Sequence, residues 1–341
     1  MSGVPAAVVI GRNEGQRLAR CLASLAGRVE PLVYVDSGSQ DDSVAIARTA
    51  GAQVVDLDPA TPFTAALARN AGFARLLELR PDVELVQFVD GDCEVQPGWI
   101  EHAREYLEAH PEVAVVCGRR RERAPEASAY NRLADLEWDT PVGEADACGG
   151  DAMYRVAPFV AAGRFDGAMI AGEEPELCYR LRCAGHQIVR LDREMTLHDA
   201  ALTRFAQWWR RNARAGHAYA ECAYLHGGEP ERLHVREVIS ILVWGLGLPV
   251  AAIATSFASP GLGLALAAGY AVLAARIYVH RRRRGDTSRD AFLYAGATVL
   301  GKLAQLQGVA QFAWNRLVIR RRTPLIEYKD AALHRADDSP R

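Results

Sequence analysis

Asp90-Gly91-Asp92 puts two carboxylates on one short turn, directly after the apolar run Leu85-Val86-Gln87-Phe88-Val89. A glycine between two acids lets both face one small, highly charged object. A divalent cation on a diphosphate is the natural candidate, because oxygen ligands suit Mg2+ and Mn2+. The competing reading is a solvated turn with a capping acid. Two further acids bear on the choice. Asp36 follows the apolar run Pro31–Val35, and its carboxylate can accept hydrogen bonds from a base N–H or from ribose hydroxyls. Glu14 follows the run Ala6–Ile10.

These acids need elements to position them. Apolar runs at Ala6–Ile10, Pro31–Val35, Ala52–Val55, Leu85–Val89 and Val113–Cys117 alternate with helical patterns at Glu14–Leu25, Asp42–Ala50, Thr64–Leu79 and Gly98–Ala109. This repetition predicts an α/β fold with a mostly parallel sheet and helices on both faces. Ligands of such sheets bind beyond the carboxyl ends of the strands. Asp36, Asp90 and Glu14 are therefore expected in one crevice. The charge run Arg119–Arg123 reads as a solvated loop able to touch phosphate. Mixed segments follow, with helices expected near Ala129–Glu137 and Pro175–Ala184.

The rear of the chain differs in composition. Residues 1–202 hold 20 basic and 32 acidic residues, whereas residues 203–341 hold 20 and 10. The basic groups flank apolar stretches, which favours anionic lipid over nucleic acid as a partner. Thr203–Leu225 is amphipathic and rich in Trp and Arg, the pattern of a helix at a membrane surface or under an active site. No charged residue lies between Glu237 and Arg276. That length accommodates two spans, Val238–Phe257 and Leu262–Val279, with Ser259-Pro260-Gly261 as the turn; a buried core hairpin is the competing reading. Basic residues outside both ends place the hairpin termini, and the front domain, on the cytoplasmic side of the cell inner membrane. Ala291–Val318 is apolar but carries Lys302 and several amides, and both its ends are basic. This predicts an interfacial helix, with a third span as the alternative. The seven cysteines lack a Cys-x-x-Cys spacing, which argues against zinc or a disulfide framework, and no signal peptide is expected at the N-terminus.

Four segments in order carry a family resemblance over roughly residues 4–215. They are Val8-Val9-Ile10-Gly11-Arg12-Asn13-Glu14, Val35-Asp36-Ser37-Gly38-Ser39-Gln40-Asp41, Phe88-Val89-Asp90-Gly91-Asp92 and Gly172-Glu173-Glu174-Pro175-Glu176-Leu177-Cys178-Tyr179-Arg180. The chain resembles a membrane-anchored family 2 glycosyltransferase of the bacterial type, with a GT-A fold. The resemblance implies a nucleotide-sugar donor held by Asn13, Glu14, Asp36, Asn70 and Asp90, and a Mg2+ or Mn2+ ion held by Asp92 and His198. A structural histidine is the alternative at 198. Glu174 stands at the family's base position, where Asp is more common, with Glu173 as alternate. An acidic first helical turn explains the same residues without chemistry. Arg69-Asn70-Ala71-Gly72 resembles a segment lining the nucleotide site, or is a helix surface. Gly150 and Asp151 could shape the acceptor pocket. Gln207 and Arg210 partly match a Gln-x-x-Arg-Trp segment of processive relatives, but Arg211 replaces the final Trp. Gly11 also stands where Pro is usual, and Asp36-Ser37 where two acids are common, so UDP and GDP both remain open.

The expected organisation is a catalytic domain (1–202), an amphipathic interfacial region (203–234), a transmembrane hairpin (235–284), a third apolar helix (285–325) and a tail (326–341) whose end, Ala331–Arg341, is expected to be disordered. The expected reaction is inverting sugar transfer to a lipid-linked or surface-glycan acceptor. A polyprenyl-phosphate sugar synthase is the near alternative. A nucleotidyltransferase would want a glycine-rich phosphate loop that Gly11-Arg12-Asn13-Glu14-Gly15 lacks. A non-catalytic membrane scaffold is the alternative of another class.

Overall fold

The N-terminal apolar runs are strands whose residues are almost all buried, as expected when helices cover both faces of a sheet. The computed structural model describes residues 3–58, 63–228, 230–321 and 324–327. Its described residues fall into two units, one of residues 3–124 and 137–201, the other of residues 125–136 and 202–327. The expected disordered tail, Ala331–Arg341, lies outside the described residues.

In the first unit, β1 (Ala6–Gly11), β2 (Leu32–Asp36), β3 (Gln53–Asp56) and β4 (Leu85–Asp90) pair in parallel in the order β3-β2-β1-β4. Helices α1 (Gln16–Leu25), α2 (Ser43–Thr49) and α3 (Ala65–Leu79) form the crossovers. Helix α1 buries Leu18, Cys21, Leu22 and Leu25, one stripe at helical spacing. Helix α3 lies close on the sheet because Gly72 has no side chain. A Cβ there would come within 2.4 Å of Val8 and 2.7 Å of Val35. That approach sets Arg69, one turn earlier, beside the strand ends.

Beyond β4 the sheet is mixed rather than mostly parallel. Strand β5 (Cys93–Val95) and helix α4 (Trp99–Ala109) lead to β6 (Val113–Glu122). Helix α5 (Ala129–Glu137) precedes β7 (Gly143–Glu144), β8 (Ala152–Arg155), α6 (Val156–Ala161), α7 (Glu173–Cys183) and β9 (Gln187–His198). The order continues β4-β8-β6-β9-β5, with β7 also on β9. Strand β8 is antiparallel to β4 and β6, while β6 and β9 are parallel.

Strand β6 corrects one expectation. Arg119–Glu122 is not a solvated loop but the second half of a ten-residue strand. Arg119 and Glu122 are buried. Such charges are tolerated inside because each meets an opposite charge: Arg119 meets Asp139 at 3.4 Å and Glu122 faces His198 at 3.7 Å.

The second unit is helical. Helix α8 (Phe205–His226) runs against a long helix, Ser288–Ala313, so tightly that a Cβ on Gly308 would sit 1.9 Å from the Ala213 carbonyl oxygen. Arg132 of α5 binds Asp290 of the long helix through two hydrogen bonds, at 2.9 and 2.7 Å. Two helices, Val235–Ser256 and Pro260–Arg283, are long and apolar enough to cross a membrane, and only 11% and 6% of their most apolar windows are buried. A core hairpin would be mostly buried, so that reading does not fit the described residues.

Candidate active site

The pairing register brings the strand-end acids together. Gly11 of β1 pairs with Asp36 on one side, and Ile10 pairs with Asp90 on the other. Asp36 and Asp90 thus leave the same carboxyl edge of the sheet, flanking the turn after β1.

Asp36 is committed to its own loop. Its Oδ1 accepts hydrogen bonds from the Tyr34 hydroxyl (2.9 Å) and Ser39 Oγ (2.5 Å), and its Oδ2 accepts from the amides of Gly38 (2.9 Å) and Ser39 (2.7 Å). Asn13 joins the two loops. Its amide donates to Ser39 Oγ (2.9 Å), and its side-chain oxygen accepts from the Gln40 amide (2.7 Å). The Glu14 amide donates to Ser43 Oγ, and its buried carboxylate pairs with Arg17 at 2.8 Å. These residues shape the crevice as one bonded unit.

Arg69 and Arg120 organise the centre. Arg69 is buried and donates from Nη1 to Glu173 and Glu174, each at 2.9 Å, and from Nη2 to Asp90 Oδ1 at 2.9 Å. Arg120 donates to Asp151 Oδ2 (2.9 Å) and to Asp90 Oδ2 (3.1 Å). Both oxygens of Asp90 therefore meet a guanidinium. Burial pushes the Asp90 carboxyl up, but Arg69 and Arg120 outweigh burial and hold it below the ordinary carboxylate range. Asp151 has no exposed surface; it accepts from the Asp90 amide (2.9 Å) and Thr196 Oγ1 (2.7 Å). Asp151 is thus placed as a brace under the Asp90 turn rather than on a pocket wall. Gly150 is packed against both centres: a Cβ would lie 2.4 Å from Arg69 Nη2 and 2.8 Å from Asp90 Oδ2.

Glu174 opens α7 beside Glu173. Burial and then the neighbouring Glu173 push its carboxyl up to about 7, while Arg69 pulls it partly back. Glu174 is the more exposed of the two, with 16% of its side chain accessible against 4% for Glu173. It is the better placed to meet a substrate.

Asp92 and His198 form the second focus. His198 Nε2 lies 3.3 Å from Asp92 Oδ2, and both side chains are buried. The sheet register explains the meeting: His198 of β9 pairs with Cys93 of β5 on one side and with Glu122 of β6 on the other. Burial alone would depress His198, but Asp92 and Glu122 outweigh it and raise the imidazole above its ordinary range. His198 Nδ1 is buried, makes no hydrogen bond among the described residues, and faces Glu122 at 3.7 Å. A carboxylate behind a histidine is the support that metal-ligating histidines use. Cys93 is also near, and its ligand atom lies within 4.8 Å of those of Asp92 and His198; burial raises its thiol well above its usual value. The oxygen of Asp92 suits Mn2+ or Mg2+, and the nitrogen of His198 beside it fits Mn2+ better than Mg2+, which takes oxygen ligands. The carboxylates of Asp90, Asp92, Asp151, Glu173 and Glu174 outnumber the guanidiniums of Arg69 and Arg120, which leaves an excess of negative charge for a cation to offset.

Asn70 donates from Nδ2 to the Phe165 carbonyl (2.8 Å), and its Oδ1 is buried without a hydrogen bond among the described residues. Gln207 and Arg210 lie on α8 in the second unit. Gln207 Oε1 accepts from the amides of Thr203 and Arg204, each at 2.9 Å, and so caps its own helix. Arg120, Glu122 and the charge-bridging role of Arg69 escape the sequence reading. The signal for β6 is present: an apolar strand runs into the arginines with only Gly118 between.

Residues 7–163 match the family model described as Glycosyl transferase family 2. The match spans just under half of the chain. A TPR repeat-containing protein of Synechococcus elongatus is 34% identical over 138 residues, 39% of this chain and 31% of that protein. An uncharacterized glycosyltransferase of Rickettsia felis is 45% identical over 49 residues, 14% of this chain and 17% of that protein. The matched stretches thus span under a third of either relative. Among solved structures, the mannosyltransferase PcManGT from Pyrobaculum calidifontis, in complex with GDP-Man and Mn2+, resembles this chain with a TM-score of 0.63. The match covers 92% of this chain and 88% of that one at 17% identity, a likeness of fold. The sheet of the first unit and its flanking helices are of the GT-A type.

Proposed function

We propose that this protein is an inverting, cation-dependent glycosyltransferase that uses a nucleotide sugar at the cytoplasmic face of the inner membrane. The single observation that carries the reading is the Arg69 bridge. One buried guanidinium joins Glu174, the residue suited to base chemistry, to Asp90, the acid at the donor turn. A proton acceptor and a diphosphate-binding turn are thereby held in one cluster.

In this reading the crevice between Asp36 and Asp90 takes the nucleotide, with Asn13, Glu14 and Asn70 around it. Asp36 fixes the loop that meets the base, and Asp90 serves the ribose side. Asp92 and His198 hold the cation, with Glu122 behind the histidine. When bound there, a divalent cation would offset the negative charge that develops on the leaving diphosphate. Glu174 takes the proton of an acceptor hydroxyl as its oxygen attacks the anomeric carbon, and the bond to the diphosphate breaks on the opposite side. Gly150 and Asp151 act from beneath, by holding Arg120 and the Asp90 turn.

The exposed apolar hairpin supports a lipid-linked or surface-glycan acceptor, because it would keep the enzyme beside the bilayer. The complex of the Pyrobaculum calidifontis protein makes GDP-Man with Mn2+ the first donor to try, with UDP-sugars beside it. The test is release of GDP or UDP by membranes containing the full-length protein, with and without Mn2+. We expect cation-dependent release, and loss of at least about a hundredfold in Asp92→Asn, in line with removal of a preorganised charge-stabilising group. Equal release by both proteins would sink the metal assignment. A polyprenyl-phosphate acceptor is already ionised and needs no base, so undiminished turnover by Glu174→Gln would favour that alternative.

A further inference from the structure

Trp138 stands at the cation focus, and nothing in the motifs points to it. Its ring meets His198 edge to face, with centroids 4.7 Å apart and planes at 75°. The Arg120 guanidinium carbon lies 5.4 Å from the centre of the same indole. One partly buried side chain therefore touches both the histidine that faces Asp92 and the arginine that grips Asp90 and Asp151. The indole is itself held. The next residue, Asp139, pairs with Arg119 at 3.4 Å and Arg190 at 3.8 Å, two guanidiniums buried in the sheet.

The physical consequence follows from what His198 lacks. Its Nδ1 makes no short hydrogen bond among the described residues, and the Glu122 carboxylate at 3.7 Å supports the ring from behind without locking its plane. An imidazole so placed needs packing to fix its orientation. Trp138 supplies that packing on one side. It also screens the Arg120 charge with an aromatic face, a favourable contact that Trp makes better than Phe.

We infer that Trp138 is a positioning residue of the cation site: it fixes the ring of His198 and the guanidinium of Arg120 so that Asp92 and His198 present a ready donor pair. The inference rests on the assignment of the cation to Asp92 and His198. Removing the indole leaves every ligand in place but unbraced, and supporting residues of this kind change metal affinity by about 10- to 100-fold.

The experiment uses the full-length protein in detergent and titrates Mn2+ alone and with GDP or UDP. Binding is read by calorimetry and by quenching of tryptophan emission. Wild type should bind and show quenching, because paramagnetic Mn2+ would lie beside Trp138. Trp138→Ala should bind Mn2+ about tenfold or more weakly, with unchanged thermal unfolding. Trp138→Phe should recover most of the affinity but lose the quenching, since a ring remains without an indole. Trp208→Phe, in the other unit, should keep both. Wild-type affinity in Trp138→Ala, with Asp92→Asn still abolishing binding, would overturn this inference alone. No Mn2+ binding by the wild type under any of these conditions would overturn the cation assignment with it. If Trp138→Ala unfolds, Trp138→Phe decides: retained quenching overturns the placement of the indole beside the ion.

Discussion

The two units treat charge and apolar surface in opposite ways. The first buries Arg69, Asp151 and Glu173, and pairs Arg69 with Glu173 and Asp151 with Arg120. The second leaves Phe257 at 89% and Val272 at 60% exposure. In water both arrangements are unfavourable, for different reasons. Buried charges lose hydration, and only their partners compensate. Exposed apolar helices leave greasy surface in contact with solvent, while their backbone groups are satisfied internally, the one arrangement a bilayer accepts. The contrast teaches that the unit with chemistry uses its stability to hold charges ready. The other uses its surface to choose an environment.

The largest expected effect that would sharpen this contrast is at Glu174. Glu174→Gln should lower turnover by about 10²- to 10⁴-fold, the usual share of a general base. Its membrane partitioning should not change. The pH profile carries the sign. The carboxylate is the active form, and its value is pushed up to about 7. Wild-type kcat/KM should therefore rise with pH through about 7 and then level, and Gln should erase that limb. A flat wild-type profile from pH 5 to 8 would count against the assignment.

The next effect belongs to the other unit. Val272→Arg puts a charge near the middle of the second apolar helix, at a cost of about 3 kcal/mol if that helix spans a bilayer. Carbonate extraction should then release more protein from membranes, while nucleotide release per molecule of protein in solution persists. Unchanged extraction would break the comparison at its membrane side.

Gly150→Ala tests how tightly the first unit is set. The added methyl meets Arg69 and Asp90, so the Arg69 bridge must shift. Overpacking of this kind costs about 1–3 kcal/mol, visible as a lower Tm. Turnover should fall further than stability alone explains. The smallest effect is expected for Arg132→Met, which removes a partly exposed ion pair with Asp290 in the second unit and should cost about 1 kcal/mol. Turnover assayed below the melting range should be unaffected.

The sequence alone carried the strand–helix alternation, the common edge of Asp36 and Asp90, and the two apolar helices. Each depends on local periodicity or on a strand end, and both are written in consecutive residues. It did not carry the mixed half of the sheet. Strand direction beyond β4 is decided by which elements pair over long separations, and β8 reaches β4 and β6 from residue 152 onward. Nor did it carry the partners of the site. Arg69 meets Glu173 and Glu174 across more than a hundred residues. Arg119–Glu122 looked like a solvated run because four charged residues in sequence usually seek water. Ion pairs made within the fold, Arg119 with Asp139 and Glu122 with His198 of β9, make the burial of Arg119 and Glu122 tolerable. Residue types thus determined what chemistry was available, because a carboxylate or imidazole brings its donor atoms and its ionisable proton wherever it stands, while its surroundings set how tightly that proton is held. Tertiary structure decided which acids are buried as braces, which carboxyl is pushed up by burial and its neighbours, and where a tryptophan packs edge to face on the histidine, because those features depend on desolvation and on neighbours that no local pattern records.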